Sequence, residues 1–157
     1  MTLFDIANCE PLRIEQITAP GLLLPITDED EPCLVTGGVG SLTAIFLGGE
    51  WIYHSHSVTG LTERRGLFVP NVAIRADLDS RRMDVTGNVG TLVRSRGVYG
   101  IRTYRETPGQ FTQNVIVPFE GEPPQFEQDA VRLAFPKWEI GQQIGNEWLA
   151  LWKVDAT

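Results

Sequence analysis

The sequence predicts an all-β fold, an antiparallel β-barrel of about seven or eight strands with one short helix in the C-terminal region. Three observations lead there. The 157 residues include 16 glycines and 10 prolines, a richness that suits many turns between short strands better than long helices. Alternating apolar and polar segments recur with turn signals roughly every ten residues. Closing such a meander on itself removes exposed edges and leaves an interior able to hold one small ligand.

The elements follow in chain order. The length fits one domain, so residues 1–157 are read as a single barrel, with residues 1–32 as a lead-in. Residues 11–26 are apolar and punctuated by Pro20, Gly21 and Pro25, an early strand or extended segment. Residues 27–32 (TDEDEP) form an acidic linker. From Cys33 the meander begins. Residues 41–47 are β-prone and end at Gly48 and Gly49, a pair suited to a hairpin turn that needs positive φ. Residues 51–58 alternate, placing Trp51, Tyr53, Ser55 and Ser57 on one face and Ile52, His54, His56 and Val58 on the other.

Residues 67–78 predict another strand, with Pro70 at its start or on an edge because it cannot donate to a ladder. Residues 83–86, 98–104 and 113–119 extend the meander. Phe126, Ala130, Val131, Ala134 and Phe135 then recur at helical spacing, which predicts a helix of about three turns stopped by Pro136. Residues 148–154 return to alternation and predict a final strand closing the sheet.

Composition narrows the partners. The net charge of −7 argues against a phosphate-backbone partner, so no nucleic acid is expected. Five arginines nevertheless fall within residues 81–102, with Arg105 just beyond, a local basic face suited to carboxylates. No apolar run reaches membrane-spanning length. Residues 1–10 lack the basic start of a secretory leader, and Cys9 and Cys33 are too few for a disulfide framework. A cytoplasmic location is therefore expected, and a homodimer is compatible with the sequence.

Residues 83–97 read MDVTGNVGTLVRSRG. This segment resembles the strand–turn–strand signature of the allene oxide cyclase and dirigent-like β-barrels, a V-T-G-G-T-G element followed by an apolar or aromatic residue and a small-Arg-Gly run. Val85, Thr86, Gly87, Gly90, Leu92, Ser95, Arg96 and Gly97 stand at matching positions, while Asn88 and Val89 depart from the pattern. The resemblance implies an eight-stranded barrel whose lumen binds a lipophilic molecule. It also implies steering of a cyclisation or coupling, in some bacterial relatives of the Diels–Alder type, without metal or organic cofactor. Independently of it, Gly87 and Gly90 allow a tight turn, and Gly97 permits a bulge or close backbone approach.

His54 and His56 share a strand face and could converge on a metal ion. The spacing Gly48-x5-His54-x-His56 resembles the opening of the cupin metal motif, but Glu63 follows too late and the chain holds no third histidine. Nucleophile elbows and phosphate loops are absent from the sequence. What remains is an aromatic-rich barrel. Tyr53, His54, His56, Tyr99 and Tyr104 are the candidate catalytic groups. Trp51, Phe68, Arg96, Trp148 and Trp152 are the candidate ligand contacts, with no metal and no cofactor assigned. The expected partner is a hydrophobic small molecule, and the expected chemistry a cofactor-independent cyclisation or isomerisation. A cupin-like metal enzyme and a non-catalytic ligand carrier are the alternatives.

Overall fold

A computed structural model describes residues 10–37, 42–61, 64–84, 87–95, 97–105, 113–119, 125–126 and 132–157. Antiparallel strands account for nearly all of its regular structure. In chain order they are β1 (Glu10–Arg13), β2 (Gly21–Leu24), β3 (Cys33–Thr36), β4 (Thr43–Phe46), β5 (Ser55–Ser57), β6 (Arg65–Pro70), β7 (Ala73–Ala76) and β8 (Arg82–Asp84). They continue as β9 (Leu92–Ser95), β10 (Val98–Arg105), β11 (Gln113–Pro118), β12 (Gln125–Phe126), β13 (Arg132–Phe135), β14 (Lys137–Ile144) and β15 (Glu147–Asp155).

These strands form three sheets, ordered β1-β6-β2-β3-β4-β5, β12-β11-β10-β9-β13-β8 and β15-β14-β7. Three local features join them. Asn71 adopts a left-handed φ of 57° directly after Pro70, so the chain leaves β6 in the first sheet and enters β7 in the third. Pro136, which cannot continue a hydrogen-bond ladder, separates β13 in the second sheet from β14 in the third. A parallel bridge between His54 and Tyr104, with the Tyr104 amide donating to the Tyr53 carbonyl at 2.9 Å, stitches the first sheet to the second.

The three sheets share one core. Leu22, Ile45 and Val69 enter it from the first, Leu92, Ile101 and Val115 from the second, and Trp138, Ile140 and Val154 from the third. Each such side chain contributes about 1.5–3 kcal/mol by leaving water, so this shared cluster holds the sheets together. The first sheet also buries its other face, where Ile14, Ile17, Leu23, Phe46 and Val58 pack together. Burial on both faces explains why β3 and β4 are continuous apolar runs without alternation.

Several expectations are corrected. Among the described residues no closed barrel forms, and the strands outnumber the seven or eight expected, because breaks such as Asn71 cut one predicted strand into two. No helix covers residues 126–135 where they are described: Phe126 lies in β12 and Arg132–Phe135 is β13, while Ala130 and Val131 lie outside the described residues. Ala134 packs with Val93 and Ile116 on one face, whereas Phe135 enters the main core. Adjacent apolar residues there reflect a strand buried on both sides, a pattern that periodicity confuses with a helix. The strand expected over residues 51–58 shrinks to β5, because residues 51–53 form the turn of the β4–β5 hairpin. Gly49 supplies that turn with a φ of 80°, as the glycine pair predicted.

Candidate functional site

Where the sheets part, the protein holds an open cleft of about 740 Å³. Its walls come from all three sheets. Leu34, Val35 and Thr36 of β3 stand on one side, and Val72, Ala73 and Ile74 follow the Asn71 break on another. Leu92, Phe119 and Phe135 close the third. Pro70 and Asn71, where the chain passes from the first sheet to the third, also line the cleft. Its polar side chains are Thr36, Asn71 and Tyr99. Among the described residues no lining side chain is formally charged at neutral pH, so the surface suits an apolar guest with few hydrogen-bonding groups.

Tyr99 is the one candidate catalytic residue that the structure places in this cleft. It is 41% exposed, and its backbone carbonyl accepts from the Phe119 amide at 3.2 Å, which ties two lining residues together. Leu78 also borders the cleft and is 72% exposed. The 3-10 turn Leu78–Ser80 presents it rigidly: the Asp77 carboxylate accepts from the Asp79 amide at 3.0 Å, and the Asp77 amide donates to the Lys137 carbonyl at 2.9 Å.

The other sequence candidates gather elsewhere. Trp51, His54, His56 and Tyr104 form a knot of rings, with His54 edge-on to Trp51 at 5.1 Å and tilted on Tyr104 at 5.3 Å. His56 approaches Trp51 at 6.5 Å and Phe46 at 5.5 Å. Nδ1 of His54 lies 3.2 Å from the Trp51 carbonyl and 3.3 Å from that of Ile52. Both are acceptors, so Nδ1 carries the proton. Among the described residues no three histidine, cysteine or carboxylate groups assemble into a metal site; Glu63, the carboxylate of the cupin-like alternative, lies outside them.

Tyr53 joins this knot to the core. It has a φ of 63°, and its ring covers Gly90, where an added Cβ would stand 2.6 Å from the phenol carbons. Gly90 itself has a φ of 88°, and its carbonyl accepts from the Trp138 indole at 2.7 Å. That turn therefore needs glycine on both conformational and packing grounds. Burial, followed by the nearby Asp155 carboxylate, raises the Tyr53 phenol above its ordinary pKa. Tyr53 and Tyr104 border a smaller hollow of about 350 Å³ with Asn88, Asn114 and Asp155.

The candidate ligand contacts are dispersed. Phe68 packs on the second face of the first sheet, and Trp152 packs against the main core. Trp148 donates to the Glu139 carboxylate at 2.6 Å beneath the Arg75 guanidinium. Arg96 lies outside the described residues, next to Gly97, whose φ of 80° turns β9 into β10. Cys33 is buried, and desolvation pushes its thiol up to about 12, which suits a packing role. The cleft residues Val72, Ile74, Phe119 and Phe135 are not among the candidate contacts, because apolar side chains carry no chemical signature in a sequence. The Pro70–Asn71 pair, a turn signal inside an apparent strand, is the mark that could have located the break.

Fold and site define an all-β protein of three antiparallel sheets that part to leave an apolar cleft. The chain matches the family model described as "Uncharacterised protein y4lG" over residues 12–157 and belongs to that family. No curated protein and no solved structure matches it. Among the described residues, no helix is long and apolar enough to cross a membrane.

Proposed function

We propose that the protein binds a hydrophobic small molecule in the cleft between its sheets and promotes a cofactor-independent cyclisation or isomerisation of it there. The observation that carries this reading is the space itself, about 740 Å³ walled by aliphatic and aromatic side chains, with the Tyr99 phenol among them. Clefts of this size and polarity suit drug-sized apolar ligands. Holding a flexible chain in a folded, reactive conformer lowers the barrier to ring closure. A phenol donating to an activating carbonyl adds stabilisation where charge develops. Such a rearrangement redistributes bonds within one molecule and needs no external oxidant or reductant.

Two measurements test the two halves. Ile74→Trp places an indole in the cleft. It is expected to weaken binding of the neutral fluorophore N-phenyl-1-naphthylamine at least about tenfold, since buried contact with the guest is lost. Undiminished binding would remove the cleft as the site. For the reaction, the model substrate 1,7,9-decatrien-3-one should close to its bicyclic isomer faster with the protein than without. Tyr99→Phe should lose about tenfold or more of that acceleration. Binding without acceleration would leave a ligand carrier.

A further inference from the structure

We infer that the cleft takes an apolar molecule bearing one carboxylate, with that carboxylate held by Arg94. This rests on the cleft being a ligand site and specifies the ligand's class. Arg94 and Tyr99 are cross-strand partners in β9 and β10, two residues along from the pair Leu92 and Ile101. Side chains two apart on a strand share a face, and Leu92 and Ile101 both enter the core, so Arg94 projects on the side where the cleft opens. Its guanidinium carbon lies 5.8 Å from the centroid of the Tyr99 ring, and that ring lines the cleft.

What distinguishes this arginine is the ring it meets: Arg75, also without a carboxylate partner among the described residues, lies over Trp148, whereas Arg94 lies over a residue of the cleft. Arg64 pairs with Glu31, Arg65 with Asp30 and Arg13 with Glu15. Among the described residues Arg94 has no carboxylate partner, and the ring of Tyr99 is its interaction. A cation–π contact uses the charge of the guanidinium and leaves its N–H groups available to a further acceptor. Planar, forked donors match a carboxylate in two parallel hydrogen bonds. A ligand with its apolar body against Val72, Ile74 and Phe135 and its carboxylate at Tyr99 would use both properties of the cleft. It would also present no charge to the uncharged walls.

The experiment compares 2-naphthoate with 2-naphthylmethanol, nearly matched in shape but differing in charge, by displacement of N-phenyl-1-naphthylamine. Naphthoate should bind wild-type protein more tightly than the alcohol. Arg94→Gln should weaken naphthoate about tenfold, the scale of a charge-assisted contact, and leave the alcohol unchanged. Arg94→Lys should recover only part of the loss. Arg75→Gln, whose guanidinium lies over the Trp148 ring and which is not among the described cleft-lining residues, should change neither ligand, and melting curves confirm that each variant folds. Equal binding of acid and alcohol, or equal losses of both in Arg94→Gln, would overturn the carboxylate assignment while leaving the cleft as a ligand site. Failure of the fluorophore and of both naphthalenes to bind would overturn the cleft reading and this inference together.

Discussion

The cleft between the sheets and the ring knot around Trp51 differ in the kind of residue that builds them. The knot concentrates the conspicuous side chains, two histidines, a tryptophan and a tyrosine, whose rings contact one another at 5.1–6.5 Å on a partly exposed surface. The described walls of the cleft are mostly alanine, proline, valine, isoleucine, leucine and phenylalanine, with Thr36, Asn71 and Tyr99 as their polar side chains. In those walls stand Pro70 and Asn71, a left-handed residue after a proline that turns one strand into two. Chemical character and available space are thus separated in this molecule. A site is found by asking where sheets part before asking which residues could react.

Four perturbations sharpen that contrast, beginning with the largest. Trp138 is buried beside both regions, donating to the Gly90 carbonyl beneath Tyr53 and packing in the core shared by the sheets. Trp138→Ala should cost about 3–5 kcal/mol in urea unfolding and weaken cleft binding as well, since it loosens the shared support. Gly90→Ala places a methyl against the Tyr53 ring in a backbone conformation that alanine disfavours. It should cost about 2–3 kcal/mol while leaving cleft affinity intact below the melting transition. A loss of binding there would show that the two regions act as one.

His54→Gln should be milder. Its ring sits in a partly exposed knot and its Nδ1–H faces two backbone carbonyls, so the cost should stay under about 1 kcal/mol, with ligand binding and any turnover unchanged. A loss of turnover would move the chemistry to the knot. The smallest effect concerns Cys33, whose thiol burial raises from the ordinary 9.0 to about 12. A raised acid is favoured in its neutral form by the fold. That contribution is complete below about pH 9 and is lost as pH rises toward the folded value. In a Cys9→Ser background, iodoacetamide should therefore label native protein far more slowly than unfolded protein at pH 8.5. Equal rates would contradict the burial.

Much of the fold was legible because it rests on local chemistry. The β-rich class, the Gly49 hairpin and the strands at residues 98–104, 113–119 and 148–154 follow from turn residues and alternation. The failures share one cause. β13 and the first-sheet strands β2, β3 and β4 are buried on both faces, so their apolar runs lose the period-two pattern and imitate either a helix or a featureless stretch. β14 went unrecognised because Trp138, Ile140 and Gly141 alternate with Glu139, Gln142 and Gln143 only weakly and no turn pair flags its start. Of the candidate site, Tyr99 stands out by its aromatic hydroxyl, and it lines the cleft. His54 and His56 stand out by their spacing on one strand face and Trp51 by its large aromatic ring, and all three belong to the knot. Arg94 lay within the basic stretch noted in the sequence, but its role depends on register with Tyr99, which only pairing of β9 with β10 supplies.

The central claim is that the guest enters the seam between the sheets. Backbone amide shifts of labelled protein titrated with 2-naphthylmethanol test it directly. The shifted amides should cluster at Leu34–Thr36, Val72–Ala76, Leu92, Tyr99 and Phe119, with residues 51–56 and Tyr104 unmoved. Shifts centred on Trp51, His54 and Tyr104, with the seam unperturbed, would contradict it.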